Sequence, residues 1–392
     1  MQVALPSHAV AQEVRDGVQA ICSRFNLDYW DFCDHEEQFP GEFGEAFFQA
    51  GFGAITIPEN YGGAGGTLTM LAAALEEVAY GGGLNATAAV HIPLLCVPTL
   101  LRFGTEEQKR VLLPKVACGD MFVTLGVLEP DAGTEITRIA TKATPVAGGY
   151  VISGTKVWNS GALVGDKVMV LARTSEPADP QRRGAGLTLF MAPLSGDTID
   201  IKPIAKLVRR AVVSCEVFFN EHFVSENEVI GTVDEGFYHL QASLNRERLL
   251  VASEALGMGR WALEAGSTYA SKRMAFGRPV GQNQAVAHPL ADGYLRLLAA
   301  AEVVHRGLTE FENCADFMQI SALANAAKYV ATEAAFACNE AAMQAFGSNS
   351  FARENHIGRY WTESQLLRLA PIENQMILNL VAENQLKLPR SY

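Results

Sequence analysis

The stretch LEPDAGTE, residues 128–135, parts two kinds of sequence pattern. Before it, residues 1 to about 120 read as helices broken by glycine. In IPENYGGAGGTLTMLAAALEEVAY (57–80), Gly62, Gly63, Gly65 and Gly66 close one segment before a helical stretch over 70–80 begins. After it, to about residue 230, the period shortens. YVISGTKVW (150–158), KVMVLART (167–174), LTLFMAP (187–193), IDIKPI (199–204) and CEVFFNEHFV (215–224) are short β-branched runs separated by turn residues, and they predict a small β domain. Past Gly236 the helical period returns over 238–274, 283–313 and 317–346. The quoted stretch is itself a glycine-bordered turn. Pro130-Asp131-Ala132-Gly133-Thr134 presents backbone N–H groups and a hydroxyl, which suits phosphate-type oxygens or equally an ordinary hairpin.

Composition narrows the function classes. The 392 residues are long enough for two or three domains. A hydrophobic fraction of 49% against 19% charged residues favours a large core and broad subunit contacts. A net charge of −12 leaves no basic face for nucleic acid. Seven cysteines, at 22, 33, 96, 118, 215, 314 and 338, are scattered without a CxxC, as reduced thiols of a cytoplasmic protein are. The opening MQVALPSHAVAQEVRDGV lacks the basic and apolar regions of a signal peptide, and no uninterrupted apolar run approaches the ~20 residues of a membrane span.

LEPDAGTE resembles the TEPxxGSD signature of the acyl-CoA dehydrogenase family. The flanking segments follow that family's order: IPENYGG (57–63), FGTEEQK (103–109), GTKVW (154–158), RMAFGRPVGQNQ (273–284) and MQAFGSNSF (343–351). The resemblance spans nearly the whole chain. It implies an α+β fold with an N-terminal helical domain (1–120), a middle β domain (121–230) and a C-terminal four-helix bundle (231–392), with FAD as cofactor and a homotetramer. It also implies flavin contacts at Leu128, Gly133, Thr134, Trp158 and Ser160. Arg273, Phe276, Gln284, Gln344 and Gly347 match positions that hold the FAD of a neighbouring subunit. Three departures stand out. Leu128 replaces the usual threonine, WNSGA (158–162) is about one residue shorter than its counterpart, and Val212 and Val213 stand where Ser and Asp are frequent.

The implied reaction removes a proton from Cα and a hydride from Cβ of an acyl thioester. It needs a carboxylate as base, and electrons then pass to an electron-transferring flavoprotein. Many relatives carry the base in an I-Y-E-G-T run. Here RYWTESQLLRLAP (359–371) aligns without gaps, so Pro371 falls on the glutamate's position and Glu373 lies two residues beyond, as a helix-opening carboxylate. The second candidate is Glu247. On a helical wheel it shares an apolar stripe with Leu240, Leu244, Val251, Met258 and Trp261, and Glu254 falls on the same stripe. SLNRERL (243–249) matches the L-x-x-E-R-L context in which isovaleryl-CoA and long-chain types place their base. That match favours Glu247, with Arg248 as a support for its helix. Pro371 also lacks the N–H that relatives offer the thioester oxygen there. Either Ile372 supplies one, or a flavin hydroxyl does more, or the reaction differs. Enoyl-thioester reduction, a flavin monooxygenase and a non-catalytic flavin- or thioester-binding subunit remain alternatives.

Overall fold

A computed structural model describes residues 11–177, 179, 181–313 and 317–390. Cys314, the first ten residues and the last two of the tail LPRSY lie outside the described residues. The chain divides into two compact units. One comprises residues up to 32, 67–87 and 245–392; the other comprises 33–66 and 88–244.

The first unit is helical. The helices are α1 (Gln12–Cys22), α2 (Leu27–His35) and α4 (Leu68–His91), both of which end in the second unit, α7 (Gly236–Lys272), which begins in it, α8 (Gln284–Asn313), α9 (Phe317–Phe346), α10 (Ile357–Leu369) and α11 (Asn374–Asn384). α3 (Gly41–Gln49), α5 (Val97–Phe103) and α6 (Glu106–Cys118) belong to the second unit. Small residues let α7 pack closely. A Cβ on Gly257 would lie 2.0 Å from the Glu76 carbonyl oxygen on α4, and one on Gly259 would meet Leu297 on α8. α4 breaks at Gly83, whose φ of 69° and ψ of −155° suit glycine alone. The helix restarts because Glu363 on α10 caps it, accepting the Leu84 N–H at 2.6 Å and the Asn85 side-chain amide at 3.2 Å. From Asn245 to Arg260 every residue of α7 is buried. This corrects the single apolar stripe expected from the sequence: the helix is enclosed on all sides, and its polar residues are enclosed with it.

The second unit is built on an eight-stranded mixed sheet in the order β6-β7-β3-β2-β4-β5-β8, with β1 paired to β4. The strands are β1 (Val123–Gly126), β2 (Lys142–Val146), β3 (Gly149–Ser160), β4 (Lys167–Arg173), β5 (Leu187–Pro193), β6 (Ile199–Pro203), β7 (Ser214–Ser225) and β8 (Val229–Ile230). The five runs read from sequence are β3 to β7. The three unforeseen strands are short, and β2 contains Pro145, which is tolerated because β2 meets its other neighbour, β4, only at Lys142. Ile152, Val168, Val170, Phe190, Val217 and Phe219 form the core of this unit. The FGTEEQK segment opens α6: Thr105 and Gln108 make a capping box, and the Gln108 amide also binds the carbonyls of Asn227 and Val229 at 2.8 Å.

Among the described residues one helical stretch, Leu68–Phe103, is long and apolar enough to cross a membrane by length and composition. Of its most apolar window, 83% is buried, as in a core helix.

Candidate active site

In the sheet unit, the signature turn is anchored from beneath. Glu129 is buried and accepts the N–H groups of Ala140 at 2.6 Å and Thr141 at 3.0 Å, and it pairs with the fully buried Lys156 at 2.7 Å. Lys156 also donates to the Val127 carbonyl at 3.1 Å. Burial pushes the Lys156 ammonium down to about 8 although Glu129 pulls it up. Burial alone would raise the Glu129 carboxyl, but Lys156 and the Ala140 amide outweigh it and hold the group below the usual carboxylate range. The glutamate of LEPDAGTE is therefore a brace that fixes the turn to β3.

Above that brace the turn closes tightly, with Glu129 and Ala132 exchanging backbone hydrogen bonds at 3.1 and 3.2 Å. Gly133 and Thr134 follow it, exposed, and a Cβ on Gly133 would meet nothing within 4 Å. Nearby, the pairing of β3 with β7 slips between Lys156 and Asn159. At this bulge Trp158 takes a φ of +59° and leaves its indole 54% exposed. Leu128, Pro130, Gly133, Trp158 and Ile204 line one cleft of about 550 Å³. Leu128 contributes its carbonyl to the Val157 N–H at 2.9 Å. Ser160, at the end of β3, has its hydroxyl engaged by Arg209 at 2.5 Å and by Ser214 at 3.1 Å.

In the helical unit, Glu247 sits on α7 and is 6% exposed, with Arg246, Arg248 and Glu254 also buried. Arg248 donates to the Asn245 side chain at 2.9 Å, and burial pushes it down to about 10. Farther along, the same helix carries Arg260 into a buried ion cluster. Arg15 and Arg260 each reach both Glu76 and Glu77 at 2.6–2.7 Å. Burial would raise the Glu76 carboxyl, yet the two arginines hold it down. Sequence reading did not find this cluster, whose members lie up to 184 residues apart in hydrogen bonding.

Arg273, Phe276 and Gln284 lie just beyond α7, around a two-strand hairpin of β9 (Met274–Ala275) and β10 (Arg278–Pro279). All three are exposed, Phe276 completely, at a φ of +51°. Gln344 and Gly347 stand at the end of α9. Gly347 has a φ of +59° and open space before its Cα. Stacking of Tyr269 on Phe346, with centroids 4.0 Å apart, joins the two ends, and Arg273 and Phe346 line one cleft of about 630 Å³.

Glu373 is the N-cap residue of α11 and half-buried, two residues past Pro371. The turn between α10 and α11 is gripped by Lys328 on α9, a lysine with no exposed surface. Its ammonium donates to the Ile372 carbonyl and to Asn374 Oδ1, both at 2.7 Å, and to the Arg368 carbonyl at 3.3 Å. Burial pushes it down to about 8, with Arg248 and Arg368 adding to the fall and Glu333 and Glu373 opposing it. Among the described residues the Ile372 N–H has no acceptor.

Family models for the acyl-CoA dehydrogenase N-terminal, middle and C-terminal domains match residues 9–120, 124–222 and 234–386. The chain belongs to the acyl-CoA dehydrogenase family. Its fold is that family's three-part arrangement of helical, sheet and helical segments, and the family's enzymes are FAD-dependent oxidoreductases. The chain is 31% identical over 381 residues to the acyl-CoA dehydrogenase fadE12 of Mycobacterium bovis, covering 97% of both chains. It is 32% identical over 324 residues to the mitochondrial isovaleryl-CoA dehydrogenase of Solanum tuberosum, covering 80% of this chain and 75% of that one. The structure of a glutaryl-coenzyme A dehydrogenase in complex with glutaryl-CoA superposes with a TM-score of 0.91 at 23% identity, over 99% and 98% of the two chains. The residues present fit FAD. A half-exposed indole faces a cleft whose neighbouring glycine leaves room for a close approach, and Gly347 offers a second open backbone.

Proposed function

We propose that this protein is an FAD-dependent dehydrogenase that converts a saturated acyl thioester to its 2,3-enoyl form, with Glu247 taking the α-proton. The observation that carries the assignment is the contrast between the two carboxylates. Glu247 is buried within a helix that is enclosed on every side, whereas Glu373 caps a helix behind a proline. A carboxylate held by rigid helix backbone and shielded from water keeps one orientation toward a proton it must remove. Leu128, Gly133, Thr134, Trp158 and Ser160 hold the FAD in this reading, and Arg273, Phe276, Gln284, Gln344 and Gly347 hold that of a neighbouring subunit in a homotetramer. When bound, FAD supplies the acceptor for the β-hydride. Trp158 gives the ring a flat apolar wall, and Arg273 gives its pyrophosphate a counter-charge.

The partition at 1–120, 121–230 and 231–392 belongs to the same proposal, supported by the bounds of the three family models. So do an electron-transferring flavoprotein as acceptor and a cytoplasmic location, the latter supported by six free cysteines among the described residues. Anaerobic titration of the flavoprotein with saturated acyl-CoAs of differing length and branching tests the reading. Bleaching of the flavin band near ~450 nm by at least one of them is the expected outcome. A bound flavin that no thioester bleaches would refute it.

A further inference from the structure

Two cations converge behind Ser160. Arg209 donates to its hydroxyl at 2.5 Å, and the buried Ser214 hydroxyl lies 3.1 Å from it. Lys206 in turn donates to Ser214 Oγ at 2.9 Å and to the Val212 carbonyl at 2.7 Å. All four residues belong to the sheet unit. Arg209 has a φ of +54°, a backbone that a non-glycine residue keeps only where its surroundings fix it. Burial and then Arg209 push the Lys206 ammonium down to about 7, against the pull of Asp34, Cys215 and Glu37. Of these, Glu37 is bound to the Arg210 guanidinium at 2.7 Å, and Asp34 accepts the Arg210 N–H at 2.8 Å.

We propose that Arg209 and Lys206 form a cationic brace that acts on the flavin through the Ser160 hydroxyl, favouring its electron-rich reduced form and raising its reduction potential. This rests on the placement of Ser160 against FAD proposed above. Positive charge beside a group favours the more negative of its states. Arg209 keeps its charge at every accessible pH. Lys206 does not, so the brace weakens as pH rises through neutrality.

Equilibrium reduction of the FAD-loaded protein against a reference dye, without any acyl substrate, tests this. In R209Q the ratio of reduced to oxidised flavin at a given potential should fall at least tenfold, about 30 mV for a two-electron couple, and R209K should recover most of it. In K206M the potential should fall at pH 6 but match wild type at pH 9. An unchanged potential in flavin-loaded R209Q would overturn the proposal. If R209Q does not retain FAD, K206M decides: a gap from wild type that is the same at both pH values would overturn it. A shifted potential in a protein that no acyl thioester bleaches would uphold the brace and refute the dehydrogenase reading.

Discussion

Two regions of the helical unit carry a candidate catalytic carboxylate, and they are held in opposite ways. Around Glu247 the backbone is continuous helix, and its position is fixed by close packing of α7 through glycines such as Gly257. Around Glu373 the backbone is a turn after a proline, and its position is fixed by one buried ammonium on carbonyl oxygens. The first arrangement tolerates no added volume. The second tolerates no lost donor. A carboxylate that must meet a substrate atom at near-contact distance is better served by the first.

Changes that strike these two supports should separate the regions. The largest loss of stability is expected for G257A. Its Cβ would fall 2.0 Å from a backbone oxygen, so one helix must move, at a cost of about 3 kcal/mol in chemical denaturation. A loss below about 1 kcal/mol would mean that α7 is not tightly seated on α4.

K328M should cost less, about 1–3 kcal/mol, because it removes a donor from three oxygens, of which Asn374 Oδ1 keeps the Thr332 hydroxyl at 3.4 Å, and leaves no uncompensated carboxylate in direct contact. Its effect also depends on pH. The folded lysine titrates at about 8 against an ordinary 10.5, so between these values unfolding takes up a proton. The lysine's contribution to stability therefore rises with pH across that window and is level below it. Glu333, Arg248, Arg368 and Glu373 all face this ammonium, so its charge is set by several elements. Denaturation of wild type and K328M at pH 7.5 and 10 should show the gap widening in favour of wild type. A constant gap would show that the lysine does not change charge there.

The smallest effect should come from E373Q. As a half-buried N-cap residue with no side-chain cap bond, Glu373 can lose its charge with turnover changed by less than about threefold. A loss of two orders of magnitude would move the base back to the turn.

The parts of this molecule that were legible in its sequence are those decided locally. α8 and α9 follow the helical period to within a residue at each end, and the β-branched runs fall on β3 to β7. β2 was hidden by Pro145, since the edge-like position that tolerates it is a property of the sheet. The position of Glu247 could be read from its neighbours, but enclosure of α7 on every face could not, because it depends on helices distant in the chain. The Glu129–Lys156 pair spans 27 residues and the Lys328 grip 44. Neither leaves a periodic trace. Ser160 was visible as a candidate, while the arginine and serine that occupy its hydroxyl come from a loop and a strand some fifty residues away.

The most direct test of the account is the rate of flavin reduction in E247Q on rapid anaerobic mixing with the acyl-CoA that best bleaches wild type. With FAD content and thioester binding unchanged, the account predicts a fall of about 10²–10⁴-fold, the usual contribution of a general base. Reduction at the wild-type rate would contradict it and remove Glu247 from the chemistry.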